Sequence, residues 1–220
     1  MSQPDLSMPG AWRQLFPSAL KLMAHLEAET KAPVWTFGGG TVLMLRIRHR
    51  ESRDIDLFVP DPQYLGYINP RLSALAEDLS THYEENAEFI KLFLPHGEID
   101  IVVGASLTGQ PFDLVPYKRR ELRIETSAEI IAKKMWHRGH RAKARDLFDL
   151  CAVAEAEPQA IAHAAPFMQR HGNAFLQQIE ERSTRLQGDF EDIVAIDFTR
   201  SFAECVERAH DILGPLVTKR

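Results

Sequence analysis

The sequence is short of the features that mark several large classes of protein. Only two cysteines, Cys151 and Cys205, occur among 220 residues; they lie far apart and without metal-ligand spacing. This argues against a disulfide framework or a thiolate zinc site, and two buried free thiols in a reducing compartment are expected. No histidine pair has zinc-ligand spacing either, since His137 and His140 stand three apart across Gly139 with no third ligand in view. No apolar run approaches the ~20 residues that span a bilayer. The start, Met1-Ser2-Gln3-Pro4-Asp5, lacks the basic residues and apolar block of a signal peptide. A cytoplasmic protein without membrane contact is the expectation. Positive charge is also in deficit: 31 Asp and Glu against 26 Lys and Arg give a net charge of −5, which argues against a general nucleic-acid binder. There is no internal repeat, no low-complexity tract, no aromatic-rich RNA-binding sheet motif and no KH-type glycine loop.

What is present centres on residues 37–59. Phe37-Gly38-Gly39-Gly40-Thr41 runs into an apolar helical pattern, and Ser52-Arg53-Asp54-Ile55-Asp56-Leu57-Phe58-Val59 follows. Side chains alternate along a strand, so Asp54 and Asp56 share one face and Ile55 and Leu57 the other. Two carboxylates on one face repel and resist burial unless a cation stands beside them. Hard divalent ions such as Mg²⁺ take oxygen ligands and often hold substrate phosphates as well. Upstream, the glycines let backbone approach a ligand, and the N–H groups opening a helix favour an anion. An anion cradle about a dozen residues from a metal seat suggests a metal–triphosphate site. Asp-X-Asp or Gly-Gly-Gly alone would be ordinary turn chemistry; the joint spacing is more specific.

Gly39-Gly40-Thr41-X-Leu43, then Arg50-X-Ser52-X-Asp54-Ile55-Asp56-Leu57, resembles the first motif of the polymerase-β-like nucleotidyltransferases. Within that superfamily the chain is similar to the AbiEii/AbiGii nucleotidyltransferase toxin family, and the likeness continues around Lys134 and in Arg145-Asp146-Leu147-Phe148-Asp149-Leu150. The resemblance implies an α+β fold with a mixed sheet, flanking helices and a C-terminal all-helical lobe. It implies Mg²⁺ (or Mn²⁺) as cofactor, an NTP as substrate, an RNA acceptor such as the tRNA 3′ end, and an antitoxin partner. Asp54 and Asp56 would hold the metal, and Gly39, Gly40, Thr41 and Ser52 the phosphates. Asp146 carries over as a functional residue of the cleft, with Asp149 positioning it or anchoring its helix. In the superfamily a third carboxylate arrives on a later strand, and Asp100 matches it by position.

Asp100 is also unusual on its own terms. Phe89–Leu94 and Glu98–Val103 read as a hairpin about Pro95-His96-Gly97. In the second strand Ile99, Ile101 and Val103 share a face, and an acidic residue opposite them conflicts with burial. Glu98, nearer the turn, is expected in solvent. Further on, Thr126 with Glu129 reads as a capping box for a helix reaching about Arg138. Helical spacing places Lys134 with Ile130, Ile131 and Met135, and Lys133 on the opposite, solvent side. Lys134 would then either snorkel outward or meet a negative partner such as a phosphate; Arg145 would reach Asp149 one turn on.

The remaining pattern divides into a nucleotidyltransferase lobe over 1–124 and a helical lobe over 125–220. Residues 1–14 read as loose, with Trp12 at the surface. Residues 17–29 read as an amphipathic helix, and 70–79 as a helix capped by Asn69. Residues 107–124 read as a connection with one short strand near Leu122. The arginines of 41–48 are expected to face away from the core. From Lys118 to Arg145 ten Lys/Arg stand against three Glu, and Arg46, Arg48, Arg50 and Arg53 form a second basic cluster. These suit a polyanionic substrate, or simply line solvated helix faces. Besides an RNA-modifying enzyme, the sequence admits an enzyme of the same fold acting on a small molecule or protein, and a non-catalytic module that binds a nucleotide or partner.

Overall fold

The computed structural model describes residues 2–31 and 34–217. A seven-stranded mixed sheet is built from β1 (Thr36–Gly38), β2 (Ile55–Val59), β3 (Tyr83–Glu85), β4 (Phe89–Leu94), β5 (Gly97–Val103), β6 (Phe112–Tyr117) and β7 (Arg120–Glu125). Their order across the sheet is β3-β4-β5-β2-β1-β7-β6. Parallel pairs β2–β5 and β1–β7 alternate with antiparallel neighbours. The fold is thus α+β with a mixed sheet, as the sequence suggests.

One sheet face is apolar because the central strands alternate. Ile55, Leu57, Ile99 and Ile101 are each no more than 1 % exposed. Helix α1 (Trp12–Glu29) covers them with Leu15, Ala19, Leu22 and Leu26, spaced three to four apart. The helix begins earlier than expected: Trp12 is buried in its first turn, and Pro17 is accommodated inside it. The preceding segment is not loose, since Asp5 N–H donates to Leu45 O (2.8 Å) and Arg46 Nη1 to Ser2 O (2.6 Å).

Helix α2 (Gly39–Ile47) follows β1 directly and ends at Arg48, which adopts a left-handed conformation (φ 51°). Contrary to expectation, Arg46 turns inward. Its side chain is enclosed, pairs with Asp113 at 2.8 Å and donates to the carbonyls of Glu125 and Ile124. Between β2 and β3, a 3-10 helix at Pro62–Ile68 precedes a short α3 (Ala74–Leu79) capped by Ser73, not Asn69, and Leu72 is 69 % exposed. Residues 107–124 hold a full hairpin, β6–β7, rather than one short strand. Its register was obscured by Pro116 and by a turn at Lys118 with φ 54°.

Helix α4 (Ser127–Arg138) is capped by Thr126, whose hydroxyl accepts from Glu129 N. The reciprocal half of the capping box is not made: the Glu129 carboxylate instead accepts from Leu107 N and Thr108 N, tying down the loop before β6. Helices α5 (Ala144–Ala156), α6 (Pro158–Met168), α7 (Gly172–Glu181), α8 (Ser183–Glu191) and α9 (Phe202–Val217) complete the chain. Phe148, Phe190, Phe198 and Phe202 pack in tilted and edge-to-face pairs with centroid separations of 4.9–5.5 Å and lock α5, α8 and α9 together. The α8–α9 connection returns to the 48–51 segment: Glu51 N donates to Val194 O and Ile196 N to His49 O. That return clamps the residues leading into β2 against α5. Cys151 and Cys205 are free and buried, with the Cys151 thiol donating to Cys205 O at 3.3 Å. Among the described residues no helix is long and apolar enough to cross a membrane.

Candidate active site

The sheet face opposite α1 carries the acidic residues. β2 and β5 run parallel with Asp56 beside Asp100 and Phe58 beside Val102, while the β4–β5 hairpin sets Lys91 beside Asp100. Asp54 precedes β2 by one residue; its Oδ1 accepts from Glu98 N at 3.2 Å. Asp54, Asp56 and Asp100 all line one cleft of about 320 Å³, together with Gly39, Gly40 and Lys134. The three carboxylates predicted from sequence are thus on the same side of the sheet and in the same cleft. They do not form a ready-made cage: among the described residues no group of three or more His, Cys, Asp or Glu is close enough to hold a metal ion by itself.

Among the described residues only Lys91 comes within ion-pair distance of these carboxylates. Burial, and then the charge of Asp56 beside it, pushes the Asp100 carboxyl up to about 7, although Lys91 pulls the other way. Its Oδ1 is buried without a hydrogen-bond partner, and its Oδ2 lies 3.3 Å from Lys91 Nζ, which also pairs with Glu98. Glu98 is accordingly half-buried and paired, not simply solvated. Burial also raises Asp56, with Asp54 adding to the effect against the fields of Lys134, Arg138 and Arg145. No hydrogen-bond donor among the described residues reaches the Asp56 carboxylate. Two adjacent carboxylates, one with an orphaned oxygen, are a hard-oxygen donor set of the kind Mg²⁺ or Mn²⁺ takes, with remaining positions left to water or phosphate. The residues present are therefore of a kind that fits a divalent ion, with Asp56 and Asp100 adjacent and Asp54 in the same cleft.

The start of α2 faces these groups. Gly39 has φ +72°, and a Cβ there would run into the Asp56 carboxylate, so only glycine permits both the turn and the close approach. A Cβ on Gly40 would stand 2.7 Å from Arg50 Nη2 and 3.1 Å from Ser52 Oγ. Gly39, Gly40 and Ser52 line the cleft. Thr41 does not: it is fully buried, its hydroxyl 2.6 Å from Asp54 O as donor and 3.0 Å from Ser52 Oγ. Of Gly39, Gly40 and Thr41, all expected to hold phosphate, only the two glycines line the cleft. Thr41 fixes the segment that carries Asp54, and only its backbone N–H belongs to the helix start.

Across the cleft, α4 and α5 supply a second charged cluster of opposite character. Lys134 Nζ lies 2.8 Å from both Asp146 Oδ1 and Asp149 Oδ2. Arg138 Nη2 reaches Asp146 at 2.7 Å, Arg50 clasps Asp149 with two nitrogens at 2.6 and 3.0 Å, and His49 Nε2 is 2.8 Å from Asp149. Burial opposes ionisation of both carboxyls, but the cations prevail. Asp146 is lowered to about 2 by Lys134 and Arg138, and Asp149 lies well below the usual range beside Arg50, Lys134 and His49. Both are fully enclosed and neither lines the cleft, so the expectation that Asp146 acts there directly is corrected: it holds Lys134 and Arg138 in place. Arg145 does not pair with Asp149, which is saturated by other cations; it is exposed and lines the cleft.

Lys133 also departs from expectation. It is 5 % exposed, pairs with Glu125 at 2.6 Å and lies 4.0 Å over the Phe58 ring. The helical-wheel argument failed because α4 is enclosed by α2, α5 and α6, and Lys133 is turned onto Glu125 and Phe58 of the sheet. Glu125, at the end of β7, is raised by burial against the pull of Lys133 and Thr36. Sequence reasoning missed the cleft residues Lys91, Glu125 and Arg138. Lys91 was recoverable: a hairpin pairing Leu94 with Gly97 necessarily pairs residue 91 with residue 100. Glu125 was not, because the short strand expected near Leu122 was ended at residue 124 and given no hairpin partner.

The family model described as nucleotidyl transferase AbiEii toxin, type IV toxin–antitoxin system, matches residues 21–215. A search of the curated proteins gives no significant match. Among solved structures, JHP933 from Helicobacter pylori is similar at a TM-score of 0.50 and 15 % identity, over 94 % of this chain and 93 % of that one. A nucleotidyltransferase candidate from H. pylori gives 0.49 and 15 %, over 94 % and 96 %. The STING-associated CdnE c-di-GMP synthase of Capnocytophaga granulosa gives 0.35 and 13 %, over 94 % and 81 %. The likeness to JHP933 is one of fold.

Proposed function

The chain belongs to the AbiEii nucleotidyl transferase toxin family of type IV toxin–antitoxin systems, and on that premise we propose that it transfers a nucleotide from an NTP to an acceptor hydroxyl of RNA, the tRNA 3′ end first among candidates, with Mg²⁺ as cofactor. The observation that carries the reading is the register of Asp56 beside Asp100 on parallel strands, facing a glycine-opened helix start in one cleft. In this reading residues 1–124 form the nucleotidyltransferase lobe and 125–220 the helical lobe, in a cytoplasmic toxin with an antitoxin partner.

In the reaction the acceptor oxygen forms a bond to the α-phosphorus, the bond from that phosphorus to the bridging oxygen breaks, and pyrophosphate leaves. Asp54, Asp56 and Asp100 would hold the divalent ion, which when bound supplies positive charge to the triphosphate and to the developing negative charge. Asp100, one oxygen of which has no hydrogen-bond partner among the described residues, would complete that metal shell or instead take up the hydroxyl proton. Gly39 and Gly40 present backbone N–H groups, and Ser52 its hydroxyl, to the phosphates. Lys134 has three N–H donors, two of them engaged by Asp146 and Asp149, which leaves the third for the leaving pyrophosphate in a fixed direction. Arg145, unpaired in the same cleft, adds a second cation. Catalysis is then chiefly positioning and charge stabilisation.

The test is incubation with Mg²⁺, each α-labelled NTP in turn and total tRNA. Label should appear in tRNA with the wild type and not with Asp56→Asn. Absence of transfer to any acceptor by the wild type would remove the proposal; transfer to a small molecule or protein alone would remove its RNA part.

A further inference from the structure

A second cavity, about 470 Å³, adjoins the cleft and shares Arg50 and Arg145 as a common wall. It lies between the segment entering β2, the start of α5 and the outer face of α8. The two cavities differ in their charge accounts. In the cleft Lys91, Lys133, Lys134, Arg138 and Arg50 each have a carboxylate partner, and Arg145 has none among the described residues. Around the second cavity Arg53, Lys143, Arg145 and Arg185 have no carboxylate partner among the described residues, and Arg182 reaches only the Gln178 amide at 3.3 Å. Glu51, Asp189 and Asp192 are also in its wall, but none is paired with these cations. The positive charges crowd one another: after burial, the neighbouring Arg145 and Arg138 lower the Lys143 ammonium. In a chain of net charge −5, this concentration of unneutralised cations is a local exception.

We infer that this cavity is the seat of the acceptor's backbone phosphates: a stretch of RNA running past α8 and α5 and delivering its terminal hydroxyl to the cleft across Arg145. Three observations converge. The cavity shares Arg50 and Arg145 with the cleft instead of standing apart. It is separate from the seat assigned to the NTP, so one nucleotide does not account for both. Its guanidinium-rich wall suits bidentate contacts to phosphate. The inference rests on the RNA-directed reading above, but it is a statement about binding and can be tested without turnover.

The experiment measures binding of fluorescein-labelled oligouridylate by anisotropy over a series of salt concentrations, with binding of labelled ATP and Mg²⁺ measured in parallel. Arg182→Glu/Arg185→Glu is compared with Lys21→Glu/Arg208→Glu, which reverses two exposed charges elsewhere. Arg182→Gln/Arg185→Gln serves as a milder pair, and thermal unfolding verifies that each variant is folded. In the α8 pair RNA affinity should fall about tenfold or more, and the slope of log affinity on log salt should flatten by about 1.4, at about 0.7 per lost phosphate contact. ATP binding should be unchanged. Equal loss of RNA affinity in the two charge-reversed pairs, or no loss in the α8 pair, would overturn the inference. So would polyglutamate competing as well as polyuridylate, which would make an acidic protein segment the occupant. If RNA binds by this route but no nucleotide is ever transferred to it, the proposed function fails and the groove stands. If transfer to RNA persists with the α8 pair reversed, the groove fails and the function stands.

Discussion

Two pairs of aspartates lie within reach of the same α4 cations, and their surroundings set them in opposite electrostatic states. Asp56 and Asp100 lie beside each other with too few cations, so burial raises both and one oxygen of Asp100 has no partner. Asp146 and Asp149 are more deeply enclosed, yet three cations and a histidine surround them and hold both low. The difference teaches which pair is finished without a ligand. A saturated ion cluster is architecture: it fixes Lys134, Arg138 and the 48–51 segment. An undersaturated one is destabilising until something positive arrives, and such sites are where binding and catalysis are found.

The widest gap between the pairs should appear in activity. Asp56→Asn should lower nucleotide transfer by about 10³-fold, within the range for loss of a key electrostatic group, while removing a buried charge and leaving the thermal midpoint of the metal-free protein unchanged or higher. Asp149→Asn should show the reverse weighting. It leaves Arg50 with an uncompensated charge in the interior and should cost about 3–5 kcal/mol of stability in a denaturant titration. If Asp56→Asn destabilises the fold as much as Asp149→Asn does, the two pairs are not different in kind.

Lys134→Met sharpens the contrast, because Lys134 touches both regions. Asp146 keeps Arg138 and Asp149 keeps Arg50 and His49, so loss of stability should be modest. Loss of the third N–H at the leaving group should lower the rate constant about 100-fold. Comparable falls in stability and rate would reduce Lys134 to a member of the structural cluster.

The smallest effect is in the pH dependence of stability, and its sign differs between the pairs. Asp146 is lowered from 3.8 to about 2. Its contribution is fully present above pH ~4 and is lost as pH falls through ~2, an amount of about 2 kcal/mol. Asp100 is raised from 3.8 to about 7. Between those values the folded metal-free protein binds a proton that the unfolded chain does not, so stability falls as pH rises. Urea midpoints in EDTA should therefore decline from pH ~5 to ~7. Asp100→Asn should flatten that limb, and Asp146→Asn should flatten the acid limb instead.

How much of this was legible in the sequence follows the same division. The undersaturated pair was readable because strand alternation is local: Asp56 among Ile55 and Leu57, and Asp100 among Ile99 and Ile101, each contradict their neighbours. Alternation also gave the faces of β2, β4 and β5 and the hairpin joining the last two. The saturated cluster was not readable, because its members are brought together by tertiary return. Asp149 meets Arg50 across 99 residues, and only because the connection after α8 clamps that segment. For the same reason the inward turn of Arg46 toward Asp113 was invisible, as was the burial of Lys133 against Glu125. A basic residue in a one-dimensional pattern looks solvated until its partner is placed. The β6–β7 hairpin was hidden by Pro116, which sits in β6, and by a left-handed lysine turn that propensity alone does not suggest.

The central claim is that Asp56 and Asp100 together hold a divalent cation, and Mn²⁺ binding followed by electron paramagnetic resonance tests it most directly. The account predicts binding by the wild type and by Asp149→Asn, if the latter is kept below its unfolding temperature, and loss of binding in Asp56→Asn and in Asp100→Asn. Undiminished Mn²⁺ binding in Asp56→Asn and Asp100→Asn would contradict it.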